Sequence, residues 1–338
     1  MPPATATAPA KPARKSAAVT KAVAKPDAKP KKPAKGKADQ LTIGSGRWKY
    51  AWHDQFTKLP LSPLALVGGR TQGIAVLNNG DVVVCAQSSD GIMKYGPTGR
   101  LKKKWGDQRF IGAHGLTKVE EDGKEFLWLV DCESAECVKF DTNGKIVEAP
   151  KKPKSPGKYL PTWSAVGPDG KLWITDGLGS SLIHAFDGKK WCLQLTGEEG
   201  AGRFSEPHAI AFSPSGELWI ADSQNKRLAV YDADGKYLRH TDDVARMPQS
   251  IAFHKKHAYV ADLHTGIRVI DQKSLEKVAD LGANDGIHET DGWPNLQRTT
   301  RVAPGKFNSP HDVAVDADGN VYVAEWIIGG RTTKLEKL

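Results

Sequence analysis

Cysteine and long apolar runs are scarce in this chain, and each scarcity closes off a class of protein. Four cysteines in 338 residues, none of them in a Cys-x-x-Cys pair, argue against a thiolate zinc finger or ribbon. No stretch stays apolar over the ~20 residues that a membrane-spanning helix needs. The first forty residues break up their apolar positions with Lys, Pro and Thr, so the run of about 7–15 apolar residues that marks a secretory leader is missing too. With no export signal in the chain as given, a cytoplasmic location is the default expectation.

The same forty residues lack Phe, Trp and Tyr, and all ten Trp lie beyond them. Their alternation of Ala, Lys and Pro cannot bury enough apolar surface to offset the entropy of ordering. The chain is therefore expected to divide into a disordered basic tail over residues 1–40 and a folded domain over 41–338. The tail carries ten Lys and Arg against two Asp, a net of +8 within a whole-chain +9, so the folded part is nearly neutral. Clustered Lys can bind an anionic partner by releasing counterions; the alternative is a solubilising or tethering leader. The folded part has no basic surplus and so offers no nucleic-acid surface.

What the folded part does have is an internal repeat. Gln72-Gly-Ile-Ala-Val, His114-Gly-Leu-Thr-Lys, Thr162-Trp-Ser-Ala-Val, His208-Ala-Ile-Ala-Phe, Gln249-Ser-Ile-Ala-Phe and His311-Asp-Val-Ala-Val are six equivalent starts. Each leads to a turn such as Asn79-Gly80 or Asp169-Gly170, where Gly accepts a positive φ. A second strand follows, closing on Asp131, Asp176, Asp222, Asp262 or Glu325, with Ala86 in that slot in the first copy. The once-per-copy recurrence of these acids gives them a structural role, accepting backbone hydrogen bonds in the next turn. Trp128, Trp173, Trp219, Tyr259 and Tyr322 recur in the second strands and read as packing between copies. Four short strands per copy, with a hydrophobic period near two, predict an all-β, six-bladed β-propeller. The last copy runs out after its third strand, so the segment around Trp48–Phe56 is expected to supply the fourth. That closure removes the free sheet edges.

Histidine fills the second, fourth and sixth starts. Alternate positions in a six-fold ring are related by three-fold symmetry, so His114, His208 and His311 could meet at the axis. Three imidazoles with an open position form a coordination set that zinc uses in catalysis; iron, copper or nickel also accept imidazole. The other reading gives each histidine a separate backbone hydrogen bond and no metal. Around them the starts Gln72, Thr162 and Gln249, with Gln87, Glu133, Ser223, His264 and Trp326 on the loops after the second strands, are expected to form a polar mouth for a small molecule or peptide. Glu133 and His264 are its candidate proton carriers. The connection from Gly282 to Asn308, with Trp293 in it, is long enough to be a lid. Cys132 and Cys137 flank a tight turn, where either a disulfide or two free thiols would fit. A monomer is expected.

The repeat resembles the NHL family of six-bladed propellers over residues 65 to 338, and Pro310-His-Asp-Val-Ala-Val-Asp-Ala-Asp-Gly-Asn-Val-Tyr-Val-Ala-Glu is close to that family's signature. Within it the alternating histidines are most similar to those of the peptidyl-α-hydroxyglycine α-amidating lyases, which cleave a hydroxyglycine N–C bond to release an amidated peptide and glyoxylate. That resemblance implies a catalytic zinc on His114, His208 and His311. It also implies a structural calcium on the Asp312 carboxylate and the backbone carbonyls of Ile74 and Leu116. It places a catalytic Tyr where this chain has Leu178, and two substrate-binding Arg where it has Gln87 and Ser223. A Leu cannot act as acid, base or phenolate, and Gln and Ser cannot grip a carboxylate as a guanidinium does. Peptide amidation is accordingly not expected. Two functions stay open: a metal-dependent lyase or hydrolase with an altered substrate, and a non-catalytic propeller that binds a protein or ligand. A lactonase is disfavoured, since those enzymes hold their metal mainly through carboxylate and Asn.

Overall fold

Alternating apolar residues between Asx-Gly turns fold here as antiparallel strands. At the first such turn the Leu77 and Asp81 backbones close on each other, the Asn79 side chain accepts the Asp81 N–H at 2.9 Å, and Gly80 sits at φ +81°. The computed structural model describes residues 40–59, 69–106, 108–289 and 302–338. These form six antiparallel sheets. Blade one comprises Arg70–Val76, Val82–Gln87, Ile92–Tyr95 and Leu101–Trp105; blade two, Ala113–Glu121, Lys124–Asp131, Glu136–Asp141 and Ile146–Glu148. Blade three comprises Trp163–Val166, Leu172–Asp176, Leu182–Phe186 and Trp191–Leu195; blade four, Pro207–Phe212, Leu218–Asp222, Arg227–Tyr231 and Tyr237–Asp242. Blade five holds Pro248–His254, His257–Asp262, Gly266–Asp271 and Lys277–Leu281, and blade six Pro310–Val315, Val321–Glu325 and Arg331–Lys337.

The first strands of successive blades touch in an unbroken cycle, with blade six returning to blade one. Six apolar clusters fill the six interfaces, as a strand period of two requires: Ala75, Val83 and Cys85 of blade one face blade two, while Ile74, Val82 and Val84 face blade six. The recurrent second-strand aromatic always packs forward. Trp128 lies between blades two and three, Trp173 between three and four, Trp219 between four and five, Tyr259 between five and six, and Tyr322 between six and one.

The expected fourth strand of blade six is Tyr50–His53, which pairs with Arg331–Lys337 in the register Trp52↔Leu335. A fifth, Thr42–Ile43, adds outside it. The junction is pinned by Arg331, whose guanidinium bonds Asp54 at 2.6 Å and lies over the Trp52 ring. The recurrent acids serve the fold. Asp131 accepts the N–H groups of Gly112, Glu133 and Ser134; Asp262 those of Arg246 and Met247; Glu325 that of Asn308. Blade one, with Ala86 in the acidic slot, buries Asp90 instead, paired with Lys104 at 2.6 Å. All four cysteines are free, so the Cys132–Cys137 alternative resolves to two thiols: Cys137 sits opposite Val130 in the ladder and Cys132 lies past the strand end. No helix among the described residues is long and apolar enough to cross a membrane. The predicted tail, apart from Gln40, lies outside the described residues, as does residue 290–301 of the long connection, including Trp293.

Candidate metal centre

In five of the six blades the first strand slips register against the second at the residue that opens the repeat, while blade three pairs without a slip from Trp163↔Thr175 onward. The slip falls between Pro207 and Ala209, between Pro310 and Asp312, and between Ala113 and Leu116 in the histidine blades. Blades one and five slip at Gln72 and Gln249. Such a bulge leaves one residue out of the ladder and re-aims its side chain. Here it directs His114, His208 and His311 onto one another. Their ring centroids lie 4.7, 4.8 and 4.9 Å apart, and one ligating nitrogen from each falls within 4.8 Å of the others.

The orientation of these rings is set by the other three starts, and by their backbones. Nδ1 of His114 bonds the Thr162 carbonyl at 3.0 Å, Nδ1 of His208 the Gln249 carbonyl at 2.8 Å, and Nδ1 of His311 the Gln72 carbonyl at 2.9 Å. A carbonyl only accepts, so Nδ1 carries the proton and Nε2 keeps its lone pair. Backing of this kind fixes tautomer and ring plane in metal-ligating histidines. Burial pushes the His114 pKa down to about 4, against the pull of the Thr162 carbonyl. Burial lowers His208 and His311 well below the ordinary histidine value, with repulsion from the neighbouring imidazoles adding to it. All three are neutral at pH 7, each with one ring nitrogen free to coordinate. The arrangement thus fits a soft or borderline cation: three buried acceptors face one another with their donors already committed.

Trp163 closes the axis beneath the triad. Its ring lies 6.5, 6.2 and 6.2 Å from the three imidazoles, and there is room for it because the same slot in blade two is Gly115, where a Cβ would come within 3.0 Å of the indole. On its far side a cavity of about 330 Å3 is lined by Ile74, Leu116, Trp163 and Asp312 among others. The Asp312 carboxylate accepts the Ile74 and Val313 N–H groups at 2.7 Å each, and burial pushes its pKa up to about 8. The residues implied for calcium therefore share one cavity, although it is the amide of Ile74 that meets the carboxylate.

The expected mouth divides. Gln72 bonds Gln87 at 3.2 Å, which also receives the Trp326 indole N–H at 3.5 Å, and Arg70 lies over the Trp326 ring at 5.5 Å with its Nε buried. Thr162 bonds Thr175, 2.7 Å away, and Gln249 donates to the Ser223 hydroxyl at 3.1 Å. Glu133 on blade two and His264 on blade five stand on opposite sides of the ring, Glu133 exposed and His264 half-buried beside His288. Leu178 is 43% exposed. Sequence reading missed Trp163, the one aromatic among six equivalent positions, which is a signal it could have used. It also missed Arg70, which opens the first strand of blade one, and Lys226 and Arg246, brought to this face by separate connections.

Residues 204–231 and 307–326 match the NHL repeat family. The chain is 26% identical over 281 residues to NHL repeat-containing protein 3 of Mus musculus, covering 76% of this chain and 77% of that protein. It is 26% identical over 255 residues to peptidyl-alpha-hydroxyglycine alpha-amidating lyase 1 of Drosophila melanogaster, over 68% of this chain and 45% of the lyase, and so spans under half of the latter's length. Among solved structures, a streptogramin B lyase superposes with a TM-score of 0.60 at 16% identity, covering 87% of this chain and 100% of that one. At that identity the likeness bears on the fold alone.

Proposed function

We propose that this propeller of NHL repeats, homologous to NHL repeat-containing protein 3 and to peptidyl-alpha-hydroxyglycine alpha-amidating lyase, holds a transition metal on His114, His208 and His311 and works as a metal-dependent lyase or hydrolase. Zinc is the first choice of metal. The observation that carries the reading is the set of three Nδ1–carbonyl bonds, which leaves three bare Nε2 nitrogens gathered in a buried space. When bound, such an ion polarises an oxygen or lowers the pKa of water. The chain's own part is to fix the rings through the carbonyls of Gln72, Thr162 and Gln249. Trp163 bars approach from below, so a substrate arrives from the mouth. Glu133 and His264 are the groups there suited to carry a proton. Leu178, Gln87 and Ser223 speak against a peptidyl hydroxyglycine as that substrate, since none supplies the phenol or guanidinium that reaction needs.

Calcium on Asp312, with the Ile74 and Leu116 carbonyls, is the second part of the proposal, supported by a buried carboxylate that forms no ion pair among the described residues. A non-catalytic binding module is favoured by one feature: Leu178 and Ile111, 43% and 54% exposed, put apolar surface on the loops of the histidine face. Elemental analysis of protein purified without a histidine tag decides between them. About one zinc or other transition metal per chain, lost in His208→Ala, supports the enzyme; a chain that binds none under metal-replete conditions is the binding module.

A further inference from the structure

We propose that the cavity between blades four and five, on the face where the histidines lie, binds the anionic end of a small molecule, a carboxylate or phosphate group. This goes beyond the metal and does not rest on it. The cavity holds about 510 Å3 and its walls include Ser223, Lys226, Asp243, Arg246, His264 and His288. That volume is in the range of small-molecule sites.

The walls are net positive, with one carboxylate against two permanent cations and two imidazoles. The ion pairs nearby are made by other side chains: Arg227 with Asp222, and Arg268 with Asp262 and Asp280. Lys226 and Arg246 pair with no carboxylate among the described residues. Asp262, directly beneath, is fully buried and occupied by the Arg246 and Met247 N–H groups, Thr265 and Arg268. The Arg246 guanidinium reaches the Asp285 carbonyl at 3.3 Å and lies 3.0 Å from the His288 ring, which in turn stacks on His264 at 5.7 Å and 14°. Two flat donors and a guanidinium fork thus border one space. A guanidinium fork matches the paired oxygens of a carboxylate or phosphate. Burial lowers the His264 pKa against the pull of Asp262, and His288, Arg246 and Lys226 lower it further, a sign of like charge crowded at this spot.

The cavity is linked to the histidine triad through one wall residue, Ser223. Ser223 donates to the Pro248 carbonyl and accepts from Gln249, whose own carbonyl holds His208. Anion binding here stands by itself; only the further step, that the bound anion is the substrate of the triad, rests on the function proposed above.

The test is a titration of the full chain, kept in chelator, with sodium phosphate and then acetate at ionic strength held constant with chloride. The readout is the NMR imidazole resonances of His264 and His288, assigned through single His→Gln variants. The expected result is a saturating shift that Arg246→Ala weakens roughly tenfold or more, as loss of a charge-assisted bond requires. Arg246→Ala combined with Lys226→Ala should abolish it while the circular dichroism spectrum is unchanged. Tighter binding of phosphate identifies a phosphate ligand, and binding of acetate at least as tight identifies a carboxylate. Shifts that never saturate with either anion, or that survive the double variant, overturn the proposal. The basic tail can bind phosphate but cannot make these two rings respond to Arg246. Because no metal is present, failure here leaves the metal reading standing, and failure of the metal reading leaves this one standing.

Discussion

The triad should make the metal-free protein sensitive to acid, by an amount that the His114 environment sets. In the unfolded chain a histidine titrates near 6.5; in the folded protein burial holds His114 at about 4. On going from pH 7 to pH 5 the unfolded ring takes up a proton and the folded one does not. Unfolding is favoured as the pH falls, and the effect levels off below the folded value. At pH 5 this amounts to about 2 kcal/mol for His114. His208 and His311, lowered further, act in the same direction. Against a typical total of about 5–15 kcal/mol, three such rings bring the protein close to unfolding. The assay is urea denaturation in chelator at both pH values, comparing the parent with His114→Gln, which cannot take the proton. The parent's loss of stability between pH 7 and pH 5 should exceed the variant's by about 2 kcal/mol. Equal losses would refute the argument, because they would mean that His114 protonates as easily folded as unfolded.

Trp52→Ala should cost about 3–5 kcal/mol, read as a lowered denaturation midpoint, since this indole packs on Phe307 at 4.7 Å and on Arg331 where the ring closes. Without reductant, a thiol reagent should modify one cysteine of the native protein and four after denaturation: Cys192 is exposed, the other three are buried, and burial pushes Cys132 up to about 12. Calcium should raise the melting temperature of the parent but not of Asp312→Asn; an equal rise in both would place the ion elsewhere.

Much of this fold can be read from the residues, because turns and alternation are local properties. Asn79-Gly80 and its counterparts mark each hairpin, and a last copy one strand short calls for Tyr50–His53. The convergence of the histidines followed from their phase in the repeat. What held them was hidden, because a bulge is a matter of register, and nothing in His208-Ala-Ile-Ala-Phe says that one residue leaves the ladder. The role of Gln72, Thr162 and Gln249 was hidden for a related reason: their backbones do the work, and a carbonyl is the same in every residue. Arg246 and His288 come from two connections more than forty residues apart and meet only because blade five lies between them. Cys132 and Cys137 were ambiguous because a five-residue spacing allows either phase; the ladder, with Val130 opposite Cys137, selects the one without a bond.

The seam in blade six has a consequence for how the molecule is made on the ribosome. Tyr50–His53 is synthesised before any blade, and the strand it must join, Arg331–Lys337, follows the other five blades. The early segment therefore waits with its hydrogen-bonding edge open while five blades are assembled, a condition that invites pairing with a neighbouring nascent chain. Two chains on adjacent ribosomes could exchange these strands and emerge as an interlocked pair, each ring completed by the other's beginning.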